Sequence, residues 1–266
     1  MGNIIVNTLL FQPPQRDERD KLRYKLWRHR AEEILLVNNR RHAISTVFIE
    51  PRHKITLWTI LYSHANAEDL SSIANHLESL SNELNVNVYA YDYSGYGESG
   101  GNCSEENCYE NISDALKFLN SKGIHNERII LYGRSLGSGP TCYIASKMSL
   151  QRRPLGGIIL HAAFTSIFRI MVKTACTLES DYFANIDHLR FFHRSTPILV
   201  VHGEKDRIVP FGHALEIVDE LKHVDTVVPL FLYETGHNSM NQKTKTDFFR
   251  KVSLRMTNYN AVCRFV

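Results

Sequence analysis

The sequence has no long hydrophobic run, few cysteines and charges that nearly balance. No stretch of about 18 consecutive apolar residues occurs, so no membrane-spanning helix is predicted. The five cysteines form no C-x-x-C pair, and no secretory signal peptide precedes them. These features favour reduced thiols and an intracellular, cytoplasmic protein. The formal net charge is only +3, so the composition indicates no nucleic-acid partner.

Motifs for metals and nucleotides are also absent. No P-loop occurs, and the glycines between residues 95 and 101 lack the dinucleotide-binding spacing after a strand. Cys103 and Cys108 have no nearby histidine or cysteine that would complete a zinc site. We therefore expect neither a cofactor nor a bound metal.

A chain of 266 residues is expected to form one large domain, here residues 31–266, preceded by an N-terminal arm over residues 1–30. The arm begins apolar, continues through Pro13 and Pro14, and then becomes basic with interleaved Leu and Trp. This composition suits peripheral contact with an anionic membrane, on its cytosolic face. The simpler interpretation is a solvated face that packs on the domain.

Apolar runs alternate with helical patterns along the rest of the chain. Two strands, Ile34–Val37 and Ser45–Ile49, are expected to open the sheet as antiparallel neighbours. Six further strands are predicted at Ile55–Tyr62, Val86–Tyr91, Arg128–Tyr132, Gly157–His161, Pro197–His202 and Val228–Tyr233. Helices are predicted between them at Asp69–Leu84, Glu105–Lys122, Gly137–Ser149 and Gly212–Leu221. The pattern predicts an α/β fold with a mostly parallel central sheet, helices on both faces and a short cap around residues 165–195.

The strongest chemical signal is the segment Gly133-Arg134-Ser135-Leu136-Gly137, which lies between a predicted strand and a predicted helix. This is the context of a nucleophile elbow, in which a strained turn exposes a serine hydroxyl. Bulky residues two positions before or after the serine would collide with neighbouring backbone, and glycine avoids that collision. Ser135 is therefore the predicted nucleophile of an α/β-hydrolase fold.

A serine nucleophile needs a histidine base held by an acid, and this fold orders them Ser, Asp, His along the chain. Asp206 follows a predicted core strand, whereas the alternatives Asp181, Asp187 and Asp219 do not. His237 follows the last predicted strand and lies beyond the acid. Asp206 is thus the predicted acid and His237 the predicted base.

Three other histidines, His64, His161 and His202, also lie near predicted strand ends. None of them follows Asp206 in the chain as the order requires, so we expect them to be structural.

Two backbone N–H groups are expected to stabilise the oxyanion of the reaction. One is the N–H of Leu136, directly after the nucleophile, and the other lies in the loop after an earlier strand. In that loop Asn66 is the preferred donor, with Ala65 or Ala67 as alternatives.

These segments together resemble the alpha/beta-hydrolase domain-containing protein 17 family and its bem46-like relatives. The resemblance covers most of the chain and rests on seven segments: Phe11-Gln12-Pro13-Pro14, Ser63-His64-Ala65-Asn66-Ala67, Tyr91-Asp92-Tyr93-Ser94-Gly95-Tyr96-Gly97, Ile130 to Ser135, Ala184-Asn185-Ile186-Asp187, His202 to Asp206, and Gly236-His237-Asn238. It places the family's nucleophile, acid and base on Ser135, Asp206 and His237. The family usually has glycine where this chain has Ala65.

The resemblance implies a protein depalmitoylase, a hydrolase that removes palmitoyl groups from cysteines of membrane-associated proteins. The partner would then be an acylated protein or a small acyl ester, and we expect a monomer. Two alternatives within the enzyme class are a prolyl-oligopeptidase-like serine peptidase and a short-chain carboxylesterase. An alternative of another class is a non-catalytic hydrolase-fold binding protein.

Overall fold

The computed structural model describes residues 10–15, 32–37, 42–52, 56–172 and 181–238. Within these ranges eight strands form one sheet. The strands are β1 (Glu32–Val37), β2 (Ala43–Ile49), β3 (Thr59–Ser63), β4 (Asn87–Tyr91), β5 (Ile129–Arg134), β6 (Gly157–His161), β7 (Ile198–Gly203) and β8 (Val227–Leu232). The predicted arm over residues 1–30 falls outside the described residues except for residues 10–15.

The strand order is β1-β2-β4-β3-β5-β6-β7-β8. β1 pairs with β2 and β2 with β4 in antiparallel fashion, and each later pair is parallel. The predicted mostly parallel sheet with two opening antiparallel strands is thus confirmed. Its consequence is that β3, β5, β6, β7 and β8 all deliver their following loops to one edge, where sites of open α/β sheets lie.

Six helices accompany the sheet in the described part of the chain. They are α1 (Leu70–Leu84), α2 (Glu105–Ser121), α3 (Ser138–Leu150), α4 (Ile167–Val172), α5 (Asn185–Leu189) and α6 (Gly212–Glu220). In the same part of the chain, no helix combines the length and the apolar character needed to cross a bilayer. The two short helices α4 and α5 lie in the predicted cap, of which residues 173–180 are outside the described residues.

The core lies on both faces of the sheet because its strands are buried on both sides. In β5, Ile129 and Leu131 pack in one apolar cluster, whereas Ile130 and Tyr132 pack in the other. α1 covers the second cluster, and α2, α3, α5 and α6 cover the first. Alternate residues of each central strand therefore anchor opposite helix layers and hold the loops at the strand ends in fixed positions.

Strand and helix boundaries agree with the predictions to within one or two residues, with one clear exception. The strand predicted over Ile55–Tyr62 begins only at Thr59, and the side chain of Leu57 is 68% exposed. Leu57 lies in the loop before β3 but extends the apolar run of that strand in the sequence. The composition of such a run does not show at which residue hydrogen bonding to the neighbouring strands begins.

Candidate active site

Ser135 lies at the turn between β5 and α3, in a short 3-10 segment over Ser135–Gly137. Its backbone has a φ of 49°, a left-handed conformation that non-glycine residues rarely adopt. The residue is nearly buried, with 8% of its surface exposed. A strained turn of this kind lifts the hydroxyl above the sheet edge, as the nucleophile-elbow prediction requires.

The two glycines of the elbow are needed for close approach. A Cβ at Gly133 would lie 2.5 Å from the carbonyl oxygen of Gly137, and one at Gly137 would lie 2.1 Å from the carbonyl oxygen of Ser63. Both distances are far below van der Waals contact. Glycine at these positions therefore lets the start of α3 press against the end of β3, which brings the loop after β3 next to Ser135.

The three predicted catalytic side chains form one hydrogen-bonded chain. The Ser135 hydroxyl lies 3.0 Å from Nε2 of His237, and Nδ1 of His237 lies 2.6 Å from Oδ2 of Asp206. These residues are 102 and 31 positions apart in the sequence, and the ends of β5, β7 and β8 bring them together. With Nδ1–H donating to the carboxylate, Nε2 is free to accept the serine proton.

The electrostatics around Asp206 favour its ionised form. Burial by itself raises the pKa of the carboxyl, but the hydrogen bond and charge of His237 and two backbone N–H groups outweigh it, so the pKa lies below its usual value. Those N–H groups belong to Ile208 and Val209, and both donate to Oδ1 at 2.9 Å. The carboxylate of Asp206 is thus held in place by two hydrogen bonds to Oδ1, which leaves Oδ2 to accept from His237.

The other three histidines near strand ends are buried and bonded inside the protein. Burial lowers the pKa of each, in the case of His64 to about 4. Their ring partners are the carbonyl of Ala65 for His64, the hydroxyl of Tyr132 for His161 and the carbonyl of Val209 for His202. Such rings are neutral near pH 7, which suits the structural role expected of them.

The predicted oxyanion donors come from two loops that touch. Leu136 is buried in the middle of the 3-10 turn, and the loop over residues 63–67 contacts that turn through Ser63. The N–H of Ala65 donates to Oε2 of Glu68 at 2.9 Å, which makes Ala65 a poor alternative to Asn66. Ala65 does not have a positive φ, so alanine in place of glycine imposes no left-handed strain there.

Sequence reasoning missed Arg134, which lies inside the elbow motif itself. Its guanidinium forms a close ion pair with Glu68, a residue that also accepts the Ala65 N–H. It also donates to the side chain of Asn238 at 2.8 Å and, more weakly, to the carbonyl of His237 at 3.4 Å. One arginine therefore ties the loop that carries the predicted base to the loop that carries the predicted oxyanion donor. The only sequence signal for this role is a charged residue beside the nucleophile.

Replacing Arg134 with alanine is expected to lower kcat by about a hundredfold, because both loops lose a shared anchor and small displacements of catalytic groups are costly. KM for a small acyl ester should change little. Arg134→Lys keeps the positive charge beside Glu68 but lacks the guanidinium group, whose several N–H donors reach both loops. We therefore expect its kcat to lie between those of the wild type and Arg134→Ala. Arg128→Ala, at the opposite end of β5, is the control. Wild-type kcat in Arg134→Ala would show that the two loops hold their positions without it.

A cavity of about 280 Å³ opens beside the predicted base. Its lining is mixed in character and includes Glu68, His76, Arg134, His161, Leu232 and His237. Ser135 is not among the lining residues.

Within the described ranges, no group of three or more His, Cys, Asp or Glu side chains is placed to hold a metal ion.

Comparisons with known proteins match this chain to families of hydrolases. Residues 94–254 match the model of the prolyl oligopeptidase family. The alpha/beta hydrolase domain-containing protein aho-3 of Caenorhabditis elegans is 34% identical over 255 residues, which span 89% of this chain and 73% of that protein. The human alpha/beta hydrolase domain-containing protein 17B is 35% identical over 185 residues. That alignment covers 69% of this chain and 61% of the human protein.

Solved structures show the same fold at low identity. An alpha-beta hydrolase from Vibrio vulnificus has a TM-score of 0.76 at 18% identity and covers 94% of this chain and 92% of its own. An esterase from Pyrococcus furiosus has a TM-score of 0.68 at 14% identity, with 93% and 97% covered. The predicted α/β-hydrolase fold is therefore confirmed.

Proposed function

From the premise that this chain belongs to the prolyl oligopeptidase family and to the alpha/beta hydrolase domain-containing protein 17 group of serine hydrolases, we propose that it cleaves acyl thioesters or esters through an acyl–Ser135 intermediate. The observation that carries the proposal is the unbroken hydrogen-bonded chain from Ser135 through His237 to Asp206. The proposed chemistry uses these side chains, two backbone N–H donors and a water molecule.

In the proposed mechanism, Ser135 Oγ attacks the acyl carbonyl while Nε2 of His237 takes the hydroxyl proton. The N–H groups of Leu136 and Asn66 bind the oxyanion, and Asp206 stabilises the imidazolium. Collapse breaks the bond to the thiol or alcohol, which leaves with the proton from His237. A water molecule then gives a proton to His237 and attacks the acyl carbon. The bond from that carbon to Ser135 Oγ breaks, His237 returns the proton to Oγ, and the acid is released.

We further propose that the physiological substrate is a palmitoylated protein, as the family resemblance implies. The described part of the cap supports this choice, since its two helices, α4 and α5, have only six and five residues. An acylated protein is a bulky substrate that needs an open approach to the nucleophile. In this proposal the enzyme acts as a monomer, and its arm contacts the cytosolic face of the membrane that carries the substrate.

A serine peptidase is the second candidate, because the family model that matches residues 94–254 is that of prolyl oligopeptidases. A short-chain carboxylesterase is the third, because an esterase from Pyrococcus furiosus has the same fold. Both would use the same three residues, so the distinction lies in the leaving group and in acyl length.

One substrate series tests the proposal. Purified protein is assayed with acetyl, octanoyl and palmitoyl thioesters of one cysteine peptide, with an acyl ester of matched length, and with an aminoacyl-proline amide. We expect the highest kcat/KM for the palmitoyl thioester and no turnover above background for the amide. Faster amide cleavage would establish the peptidase, and a rate that falls steadily from acetyl to palmitoyl would establish the short-chain esterase.

A further inference from the structure

A short N-terminal segment, residues 10–12, lies against the predicted oxyanion loop; we call it the strap. The backbone N–H of Gln12 donates to Oδ1 of Asn66 at 2.9 Å, and Nδ2 of Asn66 donates to the carbonyl of Leu10 at 2.7 Å. The side-chain amide of Asn66 thus pairs with the strap as a second peptide group would in a β-ladder. Contacts over 54 and 56 positions of sequence join the start of the chain to the active-site loop.

Two buried tyrosines hold the same loop from the core side. The hydroxyl of Tyr96 donates to Oδ1 of Asn66 at 2.6 Å, and that of Tyr93 donates to the carbonyl of His64 at 2.7 Å. Burial raises the pKa of both phenols, so both hydroxyls stay protonated and remain donors. The side-chain oxygen of Asn66 therefore accepts two hydrogen bonds from groups of the protein itself, one from Gln12 and one from Tyr96.

The strap is also anchored by an apolar contact. The side chain of Phe11 is only 4% exposed, and its ring meets that of Phe183 edge-on at a centroid distance of 6.1 Å. Phe183 in turn fills the space beside Gly139, since a Cβ there would lie 2.2 Å from its ring. Gly139 belongs to α3, the helix that begins at the nucleophile elbow. The strap thus joins the cap, the elbow helix and the oxyanion loop.

We propose that the strap positions the oxyanion donor. Its two hydrogen bonds to the side chain of Asn66 hold that residue so that its backbone N–H points toward the reacting carbonyl. This inference rests on the proposed function, in which Asn66 N–H is an oxyanion donor. The positioning groups are the backbone N–H of Gln12, the backbone carbonyl of Leu10 and the hydroxyl of Tyr96, and none of them touches the substrate. Rate enhancement then depends on a segment that lies outside the sheet and its crossover helices.

A matched pair of substitutions at one exposed position tests the proposal. Gln12→Pro removes the N–H that binds Asn66, whereas Gln12→Ala removes only the exposed side chain and keeps that N–H. Because loss of a complete oxyanion donor costs about 10²–10³-fold in kcat, we expect a misdirected donor in Gln12→Pro to lower kcat about tenfold or more. We expect kcat close to wild type in Gln12→Ala, and little change in KM for an octanoyl thioester in either variant.

A second variant covers the case in which proline disturbs the fold of the strap. Asn66→Asp has nearly the same shape, keeps the oxygen that accepts from Gln12 and Tyr96, and turns a carboxylate oxygen toward the carbonyl of Leu10. We expect the same loss of kcat. We also expect weaker inhibition by an octanoyl trifluoromethyl ketone, whose adduct with Ser135 carries an oxyanion. The loss of inhibitor affinity should follow the loss of kcat/KM, a correlation that general loosening of the protein would not produce.

The outcomes separate the two proposals. Wild-type turnover together with equal kcat values in Gln12→Pro, Gln12→Ala and Asn66→Asp would overturn the strap proposal and leave the proposed function intact. Absence of thioester and ester turnover in the folded wild type would overturn both. A lower melting temperature together with a higher KM in Gln12→Pro, with unchanged affinity of the folded enzyme for the inhibitor, would show that the strap has only a structural role.

Discussion

Replacing Ser135 with alanine is expected to remove all labelling by a fluorophosphonate probe and to lower kcat about 10⁶-fold, the size of loss that removal of a triad serine causes. The physical reason is that the covalent step disappears while the fold remains. Alanine at this position keeps the Cβ and the left-handed backbone and loses only the oxygen that faces His237. Labelling is measured on a gel and kcat with a thioester substrate.

The matched control is Ser121→Ala, which removes an exposed hydroxyl at the end of α2 that donates to the carbonyl of Phe118. This variant should label and turn over as the wild type does. Labelling that persists in Ser135→Ala would identify a different nucleophile. A folded wild type that does not label at all would favour the non-catalytic binding protein.

The meeting of Ser135, Asp206 and His237 could be predicted from the sequence because each of them has a local signature. Ser135 is marked by flanking glycines, and Asp206 and His237 follow strands whose apolar runs are plain. Fixed chain order then joins the three signals. The structure adds that these local signals meet at distances of 3.0 and 2.6 Å.

The supporting contacts could not be predicted in the same way, because they depend on pairs distant in sequence. Arg134 reaches Asn238 across 104 positions, and Asn66 reaches Leu10 across 56. Neither arginine nor asparagine has a neighbour whose type reveals its partner. The segment Asp92–Gly97 belongs to one of the seven segments that carry the family resemblance, but its support of the predicted oxyanion loop is visible only in the hydrogen bonds of its tyrosines.

The cap illustrates a different limit. α5 has five residues, too few for a period of 3.6 to repeat, and its first residue is a buried asparagine. Asn185 is held there by the carbonyl of Phe164 and the hydroxyl of Ser138. Tertiary hydrogen bonds of this kind stabilise a short helix that local propensity does not predict.

Replacing Asp206 with asparagine is expected to lower kcat about 10⁴-fold with little change in fold, because it traps the histidine in the wrong tautomer. Oδ1 accepts hydrogen bonds from the N–H groups of Ile208 and Val209, so the amide oxygen of asparagine must take that place. The amide NH₂ then faces His237 and donates to Nδ1. The ring proton is left on Nε2, which can no longer accept the proton of Ser135.

Asp219→Asn is the control, since it removes the same charge from an exposed carboxylate that pairs with Lys222. We expect its kcat to equal that of the wild type, and the nitrogen NMR spectrum of the histidines in Asp206→Asn to show the ring proton of His237 on Nε2. Full activity in Asp206→Asn would mean that another acid orients His237. Loss of activity together with loss of folded protein would instead show that the turn needs the negative charge of the carboxylate, and not only an oxygen that accepts hydrogen bonds from Ile208 and Val209.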